Sequence, residues 1–243
     1  MISQAEPRYL DAGETALVVE FGTTVDEAIN DRVIALDAAL SVRSPDGVVE
    51  LVPTYRSLMI HYDPLVVPRN ELIKIVESAL ASAMTSRRAK RLWTIPACYD
   101  PEFAIDLDHV AESVGLDPSS VIASHATAKY RLFMFGFAPG FAYLGGLPAV
   151  LSLPRRTSPR DQIPAGSLII AGGQALVSTV AMPSGWHILG RTPERLFAPE
   201  RNPAFLLAVG DVMTFEQIDR EAFERLGRRV ASGEVVARAE MLE

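Results

Sequence analysis

The sequence predicts two domains of different class: an α+β N-terminal domain in ferredoxin-like, split βαβ order, then an all-β barrel or sandwich domain ending in a helix. Three observations carry this. The first 95 residues alternate short apolar runs with two helical stretches. From Tyr130 onward, short apolar runs are separated by Gly and Pro turns. Charge nearly vanishes between residues 132 and 190, where only Arg155, Arg156, Arg160 and Asp161 are charged.

The elements follow in order. Ala16 to Phe21 is a short apolar run, read as a strand. Thr24-x-x-Glu27 has the form of a capping box, and Val25, Ile29, Val33, Leu36 and Leu40 recur at helical spacing on one face. Asp46-Gly47 marks a turn before a strand at Val48 to Val52, and Leu58 to Tyr62 alternates into another. Pro68 to Met84 reads as a helix with Leu72, Ile73, Val76, Leu80 and Ala83 on one side. A strand restarts at Arg91 to Pro96, which completes β-α-β-β-α-β, the ferredoxin-like order. The domain boundary is drawn near residue 92, giving 1–91 and 92–243. The basic residues Arg87, Arg88, Lys90 and Arg91 read as a solvated helix end favoured by the macrodipole.

In the second domain, Asp106 is placed to cap a helix from Leu107 to Val114 that Gly115 stops. Asp117 and Pro118 form an N-cap and N1 pair opening a second helix toward His125. Strands are expected at 130–135, 168–171, 175–181, 186–189 and 212–215. A charged, helix-friendly stretch runs from Gln217 to Val230.

Composition excludes several classes. The chain has 243 residues, 49% hydrophobic and 22% charged, with a net charge of -7. That balance disfavours a general nucleic-acid or acidic-membrane binder. Leu132 to Pro154 is uncharged and long enough to span a bilayer, but Pro139, Pro148 and Pro154, with four glycines among them, would break any helix there. Cys98 is the single cysteine, so no intrachain disulfide forms and a reducing cytosol fits. The N-terminus lacks a basic n-region followed by an apolar h-region, so a cytoplasmic protein is expected.

The familiar catalytic signatures are absent. The sequence has no G-x-G-x-x-G, no P-loop and no G-x-S-x-G elbow. His61, His109, His125 and His187 show no metal spacing, and no metal is expected. What stands out is Gly136-Phe137-Ala138-Pro139-Gly140-Phe141-Ala142-Tyr143-Leu144-Gly145-Gly146-Leu147-Pro148. Its glycines allow close approach, its prolines cut loop entropy and its aromatics supply flat contact area. The loop reads equally as a preformed binding surface or as a packed barrel corner.

The string from Tyr130 to Pro148 is followed in order by Pro154-Arg155-Arg156-Thr157-Ser158-Pro159-Arg160, Ile163-Pro164-Ala165-Gly166-Ser167, Ala171-Gly172-Gly173-Gln174, Gly185-Trp186-His187-Ile188-Leu189-Gly190-Arg191-Thr192-Pro193 and Gly210-Asp211. Together these resemble the allophanate hydrolase subunit 1 family, which includes the B-type subunits of 5-oxoprolinase and a Kip-type kinase inhibitor. The resemblance implies a cyclophilin-like β-barrel for the second domain. It implies two partners, a homologous C-type subunit (allophanate hydrolase subunit 2) and an A-type subunit, in ATP-dependent hydrolysis of 5-oxoproline to glutamate. The ATP site would lie largely outside this chain, because no phosphate loop is found in it. Two other activities belong to the same resemblance: allophanate hydrolysis or a carboxyltransferase half-site using biotin, and binding to a histidine kinase without catalysis. The sequence departs from the family pattern at Ala142, Ser178, Thr179, Ser184 and Ala198, and a tyrosine and an aspartate of that pattern are lost.

Candidate site residues follow from their chemistry. Arg155 and Arg160, near one Pro-rich loop, could clamp an anion with planar guanidinium forks, and Arg191 has the same potential. His125 is a candidate acid or base near neutral pH. These make His125, Arg155 and Arg160 the expected catalytic set. Ser167 and Gln174 follow glycine-rich turns and could hydrogen-bond a small lactam. Phe135, Pro139, Gly140, Tyr143 and Trp186 complete the expected substrate surface. Asp211 reads as a turn former.

Overall fold

In a computed structural model the chain is described over residues 6–83 and 90–242. It divides into two compact units, 1–89 and 90–243. Arg87 and Arg88 of the basic run, and Met84 at the expected helix end, lie outside the described residues.

The N-terminal unit runs β1 (Arg8–Asp11), β2 (Ala16–Glu20), α1 (Glu27–Arg43), β3 (Val48–Pro53), β4 (Ser57–Tyr62) and α2 (Arg69–Ala83). Its sheet has the order β1-β2-β4-β3, antiparallel throughout. Period-2 alternation in β4 turns Leu58, Ile60 and Tyr62 inward. They meet Leu17 and Val19 of β2, the Val33, Leu36 and Leu40 face of α1 and the Leu72, Val76 and Ala79 face of α2. Each such large apolar side chain contributes about 1.5–3 kcal/mol when fully buried.

Two expectations are corrected here. The cap of α1 is Asp26, whose carboxylate accepts from the Ile29 N–H at 3.0 Å, and the helix begins at Glu27. Thr24 therefore does not start a capping box. The fourth strand is β1, which pairs with β2 from Arg8↔Glu20 to Asp11↔Leu17. The strand expected to close this sheet at Arg91 belongs to the other unit. An earlier strand already holds the free edge of β2, so the chain after α2 is released to pair elsewhere.

The second unit runs β5 (Arg91–Cys98), α3 (Leu107–Val114), α4 (Pro118–Thr127), β6 (Tyr130–Phe135), β7 (Ala142–Gly145), β8 (Arg160–Ile163), β9 (Ser167–Ala171), β10 (Gln174–Val177), β11 (Met182–Ser184), β12 (His187–Arg191), β13 (Val212–Ile218), α5 (Arg220–Ala231) and β14 (Arg238–Met241). A seven-stranded barrel forms in the order β12-β9-β10-β7-β6-β13-β5. It closes where Arg191 of β12 pairs with Cys98 of β5. This is consistent with the barrel implied by the resemblance. The strand β14 caps the outer edge of β5, and β8 and β11 form a separate ribbon. Tyr130, Leu132, Leu144, Leu168, Ile170, Leu189 and Met213 fill the core.

Turn chemistry positions the ends of the strands. Asp117 caps α4 by accepting from the Ser120 N–H, with Pro118 at the first helical position. Gly115 ends α3 in the left-handed region at φ 70°. Asp219 caps α5 through the Ala222 N–H. Asp106 precedes α3 as expected but makes no side-chain cap; its carboxylate is used elsewhere. The charge-poor segment forms barrel strands and loops, and among the described residues no helix is long and apolar enough to cross a membrane.

Candidate functional site

Strand register sorts the candidate residues between two ends of the barrel. In the β9–β10 hairpin, Leu168 faces Val177 at one end and Ala171 faces Gln174 at the other. In β12, Arg191 lies beside Ser167 and His187 beside Ile170. Ala142 and Phe135 pair at the Val177 end of the neighbouring strands. Ser167, Arg191, Phe135 and the 136–141 loop therefore gather at one end, and Gln174 and Trp186 at the other.

At the Ser167 end lies a cavity of about 270 Å³. Its walls come from Ala165–Gly166, Val177–Thr179 and Arg191–Leu196, with Phe223 and Gly227 contributed by α5. Arg191 is half-buried. Its Nε donates to the Ala165 carbonyl at 2.9 Å, and its guanidinium carbon lies 5.9 Å from the centre of the Phe223 ring. Burial lowers its pKa, although a guanidinium remains protonated. Among the described residues no carboxylate pairs with it. The cavity thus offers a partly desolvated cation with unused donors, next to the Thr192 hydroxyl; the Ser178 and Thr179 hydroxyls already donate to the Pro164 and Pro139 carbonyls. That is the chemistry of an anion seat.

The cavity's one carboxylate is committed to the backbone. The Glu194 side chain is wholly buried. Oε1 accepts from the Arg195 N–H, and Oε2 accepts from the Val236 and Ala237 N–H groups at 2.7 and 2.9 Å. Arg201 stands 3.8 Å away. Glu194 therefore fixes the segment after α5 to the loop after β12. Three of its acceptor positions are thus taken by backbone N–H groups.

The signature loop forms the rim of this end. Thr179 Oγ1 donates to the Pro139 carbonyl at 2.8 Å. Gly140 is buried at φ 71°, and a Cβ there would overlap the Phe197 Cβ. Phe135 packs on Phe205, which packs on Phe197. Tyr143 packs edge-on against Phe141. Ser167 is buried and structural: its hydroxyl donates to the Pro164 carbonyl, while its N–H donates to Ser178 Oγ.

The expected catalytic set is redistributed. Arg160 does not pair with Arg155 in an anion clamp. It joins Arg156 on the buried carboxylate of Asp106, with Arg160 Nη1 and Nη2 at 2.8 and 2.7 Å and Arg156 Nη1 at 2.8 Å. The Ile188 N–H, at 2.8 Å, completes the set. Burial alone would raise the Asp106 pKa, but the hydrogen bond from Arg160, the Ile188 N–H and the two positive charges outweigh it and hold the carboxyl below its ordinary value. Arg155 is exposed, its guanidinium 5.8 Å from the centre of the Trp186 ring. Trp186 itself is core, among Ile163, Ile169 and Ile188. Gln174 opens β10 at the far end of its hairpin.

His125 is removed from the acid–base role. It is 1% exposed, with Nδ1 2.9 Å from Tyr99 Oη and its ring stacked on Phe215. Burial lowers its pKa to about 3, so near neutral pH it holds no exchangeable charge. The helical context visible in the sequence could not show this, because the enclosing rings are Tyr99, just after β5, Tyr130 of β6 and Phe215 of β13. Asp211 does more than shape a turn: it accepts from the Trp93 indole N–H and from the Arg91 and Ala208 N–H groups. Among the described residues no cluster of three His, Cys, Asp or Glu side chains is placed to hold a metal ion.

Residues 7–207 match the family described as the carboxyltransferase domain, subdomain C and D. The chain belongs to this family. Its relatives include proteins named as the B-type subunit of 5-oxoprolinase. That of Bacillus subtilis is 36% identical over 222 residues, covering 87% of this chain and 92% of the relative. That of Escherichia coli O157:H7 is 35% identical over 216 residues, covering 84% and 92%. Among solved structures, TTHA0988 superposes with a TM-score of 0.76 at 33% identity, over 84% of this chain; the match spans 40% of that longer protein. Kluyveromyces lactis urea carboxylase superposes with a TM-score of 0.73 over 97% of this chain and 24% of its own, at 17% identity, a likeness of fold.

In this carboxyltransferase-domain chain, sequence reading missed Glu194, Thr179 as a hydrogen-bond donor to the rim, Phe223 and Gly227. Glu194 directly follows the Gly190–Pro193 block, a signal that was available. Phe223 and Gly227 lie in a charged helix whose inward face is set only by tertiary packing.

Proposed function

We propose that this chain is the B-type subunit of a 5-oxoprolinase-type hydrolase, opening the amide C–N bond of 5-oxoproline to give glutamate, and that its cavity seats the substrate carboxylate on Arg191. One observation carries the reading: a half-buried guanidinium, with no carboxylate partner among the described residues, lines a cavity to which two of the motif blocks, at Ala165–Gly166 and Arg191–Pro193, contribute walls. Similarity to relatives named as B-type subunits of 5-oxoprolinase supplies the substrate. The planar fork of Arg191 suits a carboxylate bidentately, and the nearby hydroxyl oxygens can accept from a lactam N–H.

The same geometry supports a division of labour with partner chains. Glu194 is committed to backbone N–H groups and His125 is enclosed and neutral, so no side chain lining the cavity is set to move a proton near pH 7. The base that activates water would come from a homologous C-type subunit. ATP would be used by the complex, with an A-type subunit, at a site largely outside this chain. The chain alone would then turn nothing over. A cytoplasmic setting accompanies this reading.

The test is a reconstituted complex assayed for glutamate release. Arg191→Ala should raise KM for 5-oxoproline, since losing a charge-assisted bidentate contact costs about 2–3 kcal/mol, or roughly 30- to 150-fold. Arg191→Lys should recover part of this. An unchanged KM in Arg191→Ala would remove the assigned role. The family's description and the urea carboxylase fold favour a second reading, a carboxyltransferase half-site with biotin. Turnover of urea or allophanate with a biotinylated partner, and none of 5-oxoproline, would favour it.

A further inference from the structure

The inward face of α5 carries Phe223, Leu226 and Val230, spaced three and four residues apart. Gly227 lies one turn after Phe223. Glycine is the poorest helix former after proline, so a glycine inside a 12-residue helix calls for a reason. Packing does not supply one, because a Cβ built on Gly227 would meet nothing within 4 Å. Backbone conformation does not supply one either, since no left-handed φ occurs there. What Gly227 does is line the cavity that holds Arg191. Its neighbour on that wall, Phe223, is held in place. Its ring packs 4.5 Å from that of Phe103 on one side, and the Arg191 guanidinium lies 5.9 Å away on another. The wall is thus a fixed aromatic face beside a gap where a side chain would normally stand.

We propose that Gly227 is a specificity-determining residue: its missing side chain leaves the room that a small ring-bearing carboxylate occupies when its carboxylate binds Arg191 and its ring lies along Phe223. This rests on the reading of the cavity as the 5-oxoproline seat. The helix gives up intrinsic stability at Gly227 to keep that space open. Enlarging the residue therefore has opposite effects on folding and on binding, which a purely structural glycine would not show.

The experiment compares Gly227→Ala, Gly227→Leu and Arg191→Ala in the full chain, assembled with its partner subunits, with 5-oxoproline as the probe. Thermal unfolding of the chain is measured in parallel. Gly227→Ala should raise Tm by about 2–4 °C, the shift expected when a helix glycine is replaced in a unit of this size. It should also raise KM about five-fold or more with kcat within about two-fold. Gly227→Leu should raise KM further. A KM within about two-fold of wild type in both Gly227 variants, with Tm at or above wild type, would overturn the inference while leaving the Arg191 seat intact if Arg191→Ala still raises KM. A flat KM in Arg191→Ala would overturn both.

Discussion

Replacing Asp106 by Asn should destabilise the barrel unit by about 3 kcal/mol, a cost that can be worked from its contacts. Its carboxylate, 4% exposed, accepts four hydrogen bonds: three from Arg156 and Arg160, whose side chains are 25% and 24% exposed, and one from the Ile188 N–H. Each carboxylate oxygen accepts two of the four bonds, so an Asn side chain, with one acceptor oxygen and an NH2 turned toward donors, leaves two donors without an acceptor and both guanidinium groups without the opposing charge. Breaking a buried pair costs about 3–5 kcal/mol, and partial solvation of the arginines moves the expectation to the lower end of that range. The pH dependence has a definite sign. The folded carboxyl titrates below its unfolded value of about 3.9, so its contribution is present above roughly pH 4 and is lost as the pH falls through the folded value. Urea unfolding followed by tryptophan fluorescence isolates the effect, because both tryptophans, Trp93 and Trp186, lie in the barrel unit. A loss below about 1 kcal/mol at pH 7, or a difference that does not narrow between pH 5 and pH 3, would refute the reasoning.

Two further substitutions test the other assignments. His125→Phe should leave turnover of the complex intact while costing about 1–3 kcal/mol, the penalty for orphaning the buried Tyr99 hydroxyl. With the folded pKa at about 3 and the unfolded one near 6.5, the unfolded chain gains a proton that the native chain refuses, so wild-type stability falls as pH drops from about 6.5 toward 3. The variant should lose stability less steeply over that window, and equal slopes would count against the assignment. Gly140→Ala forces an L-residue to φ 71° and drives its Cβ into Phe197; a loss of about 2–4 kcal/mol is expected, and one below about 1 kcal/mol would show that the rim can relax.

Part of the molecule was legible along the chain. Helical spacing in α1 and α2, the Asp117-Pro118 start of α4, the Gly115 stop and the apolar runs of β6, β9 and β13 are local patterns. A residue's neighbours three or four positions away, or its own φ, suffice to specify them. The motif blocks around Gly136–Pro148 and Gly190–Pro193 identified the family for the same reason. Apart from the cap of α1, misplaced by two residues from Asp26 to Thr24, the errors share one cause as well. Asp106 looked like a helix cap because capping is local, while Arg156 and Arg160, about fifty residues on, compete for the same carboxylate with full charges.

The sequence by itself determined the helices, the longer strands, the two classes of domain and the family, because periodicity, turn residues and motif order are written in consecutive positions; the short strands β1, β7, β8, β11 and β14 left no such pattern. Tertiary structure alone decided which strand closes which sheet, which arginines are neutralised and which one is left over to face a cavity. Those outcomes depend on distances between residues far apart in the chain. Pairing a charge with a buried carboxylate, or enclosing a histidine among the rings of Tyr99, Tyr130 and Phe215, is settled only when the barrel closes at Arg191 and Cys98.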